Sequence, residues 1–177
     1  DSAGTTPAAS DGDPVGQWAD KSGNNFHAQQ ATANNKPTLK LAIQNGRNVI
    51  RCDGNDVLLL SGAALDMFRN QSFAYIFAVY SNTTSGAKRM IYASTSTALN
   101  TRISIADGKG AHYAQARQLD TDTVVVATSS VVADGAMSIV SVLSEWIAGD
   151  LTLRLNGQAV ASAAYADTKN KSDVSSS

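Results

Sequence analysis

Apolar residues along the chain recur mostly at alternate positions, in short runs separated by clusters of Gly, Asn, Asp and Ser. Period-two alternation marks β-strands, because successive side chains point to opposite faces of the pleat. The runs fall at residues 15–18, 38–43, 48–52, 57–60, 73–80, 89–93, 102–106, 112–117, 123–127, 137–143, 151–155 and 158–163. Asn45-Gly46 and Asn156-Gly157 each stand between two runs, and both predict tight hairpins, since a type I′ turn needs positive φ at both central residues. In the run 73–80, Phe73, Tyr75, Phe77 and Val79 share one face, and Ala74, Ile76, Ala78 and Tyr80 the other. Both faces are apolar, which predicts a strand covered on both sides. One short helix is predicted near 63–70, where Ala64, Leu65 and Phe68 share a face. Strands and helices do not alternate, so the pattern predicts an all-β fold: an antiparallel two-sheet jelly-roll sandwich.

Composition narrows the function classes. In 177 residues, 14 basic side chains stand against 15 acidic ones, a net charge of −1. That balance offers no electrostatic footprint for nucleic acid or an anionic membrane surface. No run approaches the roughly 20 apolar residues of a membrane-spanning helix, so membrane insertion is not expected. Cys52 is the sole cysteine, which excludes an intrachain disulfide and a cysteine metal cluster; its strand setting predicts a small buried hydrophobe. Glu145 is the sole glutamate, and long surface helices lean on glutamate for propensity and ion pairs.

The segment Trp18-Ala19-Asp20-Lys21-Ser22-Gly23-Asn24-Asn25-Phe26-His27-Ala28-Gln29-Gln30 resembles the W-x-D-x-S-G-N-x-x-H-A-x-Q opening of concanavalin A-like, laminin-G-like jelly-roll domains. Asp53-Gly54-Asn55-Asp56-Val57-Leu58 is similar to the turn that follows in that family, and Leu153-Arg154-Leu155-Asn156-Gly157 to a later hairpin. Such domains are common in phage tail or fibre proteins and in bacterial surface proteins. The resemblance therefore implies a virion or extracellular, cell-surface location. It also implies a single sandwich domain over 1–177 that lacks its first and last strands. A sandwich short of strands exposes sheet edges, so a homo-oligomer or larger assembly is expected.

Catalytic chemistry is not expected. Glycosidases of this fold use two carboxylates, usually in an E-x-D-x-E pattern, which a single glutamate cannot supply. Asp120 and Asp122 are two apart and are read as turn caps. His27 and His112 come without a G-x-S-x-G elbow or a cysteine cluster, which speaks against a serine hydrolase and a zinc site. Asp53, Asn55 and Asp56 are compact oxygen donors and the candidate calcium site; the alternative is a tight turn whose aspartates accept backbone N–H groups. Saccharide binding needs an exposed aromatic platform beside planar polar groups. Trp146, at a strand end, is the candidate exposed ring, with Tyr92 and Tyr113 as further candidates, while Trp18 is expected in the core. The expected function is adhesion or receptor recognition, with a cell-surface glycan as ligand. The alternative is a purely structural subunit (a capsid or tail decoration protein, or a filament subunit) that completes its sheets with a neighbouring chain.

Overall fold

The computed structural model describes residues 1–61, 67–68, 70–82, 89–95, 101–108, 111–118, 122–132 and 135–166. Their regular structure is β-strand, apart from a 3-10 turn at Ala33–Asn35, and every strand pairing is antiparallel. The helix expected near 63–70 lies outside the described residues. The chain forms two compact units, Asp1–Met67 and Phe68–Ser177.

The first unit contains two short ribbons. Strands β1 (Gln17–Trp18) and β2 (Ala28–Gln29) pair with each other, as do β3 (Thr38–Gln44) and β4 (Arg47–Arg51). The Asn45-Gly46 turn has φ of 48° and 74°, the conformation its sequence predicts. The strand expected at 57–60 reduces to one bridge, between Leu59 and Gln29. Asp11 ties the unit together, since its carboxylate accepts the Leu41 N–H and pairs with Lys40 Nζ at 3.0 Å.

The second unit contains two four-stranded sheets. One has the order β12 (Gln158–Ala164), β11 (Asp150–Leu155), β10 (Ser138–Glu145), β5 (Phe73–Tyr80). The other runs β6 (Arg89–Thr95), β7 (Thr101–Gly108), β8 (Ala111–Ala116), β9 (Val125–Val132). Alternation along each strand sends one set of side chains into a shared cluster. Ala74, Val140, Val142, Leu151, Leu153 and Leu155 enter it from the first sheet, and Ile103, Ile105, Ala114, Ala116 and Ala127 from the second. Each fully buried Val, Leu or Ile contributes about 1.5–3 kcal/mol relative to exposure, so this cluster dominates the unit's stability. The Asn156-Gly157 turn, with φ of 49° and 85°, sets the β11–β12 register.

Candidate functional site

Strand β5 does not have the two covered faces its sequence predicts. Ala74 is buried, and Ile76, Ala78 and Tyr80 are half-buried against the core. Phe73, Tyr75, Phe77 and Val79, on the other side, are 60%, 44%, 63% and 64% exposed. Strand β5 is also an edge strand among the described residues, with β10 as its one partner. The register carries the apolar column across to β10, where Ile139 (51% exposed) lies opposite Val79 and half-buried Leu143 opposite Tyr75. An exposed Phe or Val forgoes about 1.5–3 kcal/mol of burial, and here such residues are contiguous.

Polar groups border this column in a fixed order. Across β5, β10 and β11 the outward residues form three rows: Phe73–Glu145–Asp150, Tyr75–Leu143–Thr152 and Phe77–Ser141–Arg154. Glu145 and Asp150 are directly opposite one another, a like-charge pair that costs stability in an isolated sheet. Neither of them, nor Arg154, forms an ion pair among the described residues. The Tyr75 and Phe77 rings lie 4.3 Å apart, centroid to centroid, and are tilted by 44°.

The residues singled out in the sequence are dispersed. Trp146 is a correction: it is fully buried, with its indole N–H donating to the Arg117 carbonyl at 3.0 Å and its backbone N–H to the Ser72 carbonyl at 2.9 Å. Gln118 Nε2 donates to the Trp146 carbonyl. Trp18 is the converse correction, 62% exposed in the two-residue strand β1. Tyr113 is half-buried in β8, opposite Ala106 and on the side away from the shared core. Tyr92 lies in β6, opposite Ile105, and its side chain is outside the described residues. Trp146 and Tyr113 form no common platform.

The candidate calcium oxygens are engaged in their own turn. Asp56 Oδ2 accepts the Asp53 N–H at 2.9 Å, Asp53 Oδ1 accepts the Asn55 N–H at 3.5 Å, and Asn55 Nδ2 donates to the Asn34 carbonyl at 3.2 Å. Among the described residues, no three His, Cys, Asp or Glu side chains cluster as metal ligands. Cys52 beside them is exposed, not buried as its strand pattern predicts. Partial desolvation, then the carboxylates of Asp56 and Asp53, push its thiol up, which disfavours the reactive thiolate. Asp120 lies outside the described residues, so the Asp120–Asp122 pair has no geometry to report.

The motif around Asp20 has a structural explanation. The Asp20 carboxylate accepts the Ser22 hydroxyl at 2.7 Å, the Ser22 N–H at 2.8 Å and the Phe26 N–H at 3.0 Å, and these bonds hold its pKa down to about 2. His27 Nδ1 accepts the Asp20 N–H at 2.9 Å. Asp, Ser and His are thus spent on closing a loop.

A buried polar group occupies the core-facing end of the β7–β8 hairpin. Asp107 and His112 are opposed in register, both nearly inaccessible, and the Tyr80 hydroxyl reaches His112 Nδ1 at 2.6 Å. Burial lowers the His112 pKa, only partly offset by the Asp107 charge, which favours a neutral imidazole hydrogen-bonded to the Tyr80 hydroxyl through Nδ1. His112 Nε2 and Asp107 Oδ2 have no hydrogen-bond partner among the described residues. Among the described residues no hydroxyl reaches Nε2, the place a nucleophile takes in a hydrolytic triad.

The sequence reading missed the outward face of β5, β10 and β11. Its available signal was a strand apolar on both faces beside a neighbour, β10, that places Ile139 and Leu143 among polar residues. Comparison with protein families, with curated proteins and with solved structures finds no match to this chain.

Proposed function

We propose that this chain is a non-enzymatic, laminin-G-like jelly-roll subunit of a virion or cell-surface appendage, and that it serves to build an assembly through the outer face of β5, β10 and β11. One observation carries this reading: a contiguous apolar column, from Phe73 to Val79 and on to Ile139, stands exposed on a sheet edge. Soluble monomers rarely maintain such a surface without a use for it. The jelly-roll form is supported by two four-stranded antiparallel sheets around one core, and the appendage setting by the resemblance of residues 18–30 to that family. The buried Trp146 removes the ring first expected to hold a sugar, which shifts the weight from adhesion to assembly.

Adhesion to a glycan remains a second reading, favoured by aromatic rings that share a face with Glu145, Thr152 and Arg154. The Tyr75–Phe77 tilt counts against it, since coplanar rings make the better sugar platform. Light scattering against protein concentration, run beside a glycan array, separates the two. Assembly predicts particles that grow with concentration, shrink on Phe77→Lys and leave the array blank. Saccharide binding abolished by Phe77→Lys, with no change in particle size, would establish adhesion instead.

A further inference from the structure

We infer that the partner on this face is a second copy of the same chain, stacked face to face so that the two β5 strands run antiparallel about a twofold axis through the Tyr75–Leu143–Thr152 row. The inference rests on the assembly reading above and extends it by naming the occupant and its register. Three features of the face lead to it.

The first is area. With aromatic side chains of about 200 Å² and aliphatic ones somewhat smaller, the exposed fractions of Phe73, Tyr75, Phe77, Val79 and Ile139 amount to roughly 500 Å². Two copies together therefore bring about 1,000 Å² of exposed apolar side chain to the pairing, about the area a specific interface should clear.

The second is the order of charge. Acidic Glu145 and Asp150 sit in the Phe73 row and basic Arg154 in the Phe77 row, with Thr152 between them on β11. A twofold axis through the middle row exchanges the outer two. Phe73 of one copy then faces Phe77 of the other, Tyr75 faces Tyr75, and Asp150 faces Arg154. The acidic pair that repels itself within one sheet meets a cation from the next. A twofold axis parallel to the strands, along β10, would instead lay β11 over β5 and set Phe73 against Asp150 and Phe77 against Arg154.

The third is the geometry of burial. Edge-to-edge addition of β5 to β5 would pair backbone groups of an edge that is open among the described residues, yet leave the apolar column in water. Face-to-face packing of two sheets, with strands aligned to within about 30°, covers the column itself. A net charge of −1 offers little opposition to such pairing.

Sedimentation equilibrium of the full chain tests this. A reversible monomer–dimer equilibrium is expected, and Phe77→Lys should weaken it tenfold or more, roughly the cost of one well-packed interface residue. Val126→Lys, at a 44% exposed apolar position on β9, should leave it unchanged. Arg154→Asp and Asp150→Arg should each weaken self-association, and an equimolar mixture of the two should restore a dimer of wild-type strength, because each copy then offers the charge the other lacks. A mixture no tighter than the separate variants would overturn the register, even if Phe77→Lys proved unfolded. Open-ended particles abolished by Phe77→Lys would overturn the closed pair and leave the assembly reading standing. A monomer at every concentration would remove both.

Discussion

His112 is held neutral in a place where neutrality has a thermodynamic consequence. Its folded pKa lies below the ordinary 6.5, chiefly through burial, so between the folded and unfolded values the unfolded chain binds the extra proton. Stability from this residue is complete above about pH 6.5 and declines as pH falls through that window. Denaturation midpoints measured from pH 7 down to pH 5 should therefore fall in the wild type and fall less steeply in His112→Asn; equal slopes would mean that the imidazole is not the group titrating. At this scale the sequence was only partly legible. The role of Asp20 as an acceptor follows from the turn chemistry of its neighbours, since all its partners lie within a few residues. The fates of the two tryptophans do not, because burial of Trp146 depends on Ser72, Arg117 and Gln118, distant in sequence. Cys52 fails for the same reason: its strand pattern is local, and its exposure is not.

At the scale of elements, turn chemistry was the most legible feature. Both Asn-Gly pairs adopt left-handed backbone at both positions, and the strands on either side pair as their sequences predict. Gly157, with φ of 85° and open space where a Cβ would stand, tests how far the turn sets the fold. Gly157→Ala meets no steric neighbour, so its effect is purely conformational, and a loss of about 1–2 kcal/mol in unfolding free energy is expected. An unchanged unfolding curve would show that β11 and β12 find their register without the turn. Most other strand limits agree to within a few residues, but apolar residues 57–60 yield a single bridge, β2 (Ala28–Gln29) has no apolar run to announce it, and β9 runs on to Val132, past the expected run 123–127. Strand β5 marks where pattern reading ends. An alternation apolar on both faces is the same string of letters whether the second face is covered from within the fold or kept open for a partner.

For the molecule as a whole, the fold class was legible in the sequence and the exposed apolar face was not. All-β character follows from alternation, turn residues and a lone glutamate, which are properties of the chain itself. The ordered rows on β5, β10 and β11 exist only once three strands, the first more than fifty residues from the other two, come into register. Hydroxyl-radical footprinting tests most directly the claim that this face is where the protein assembles. In dilute protein Phe73, Tyr75 and Phe77 should be readily oxidised, and at high concentration they should be protected, while exposed Trp18 serves as an unchanging reference. Oxidation of all four residues that is independent of concentration would contradict the account.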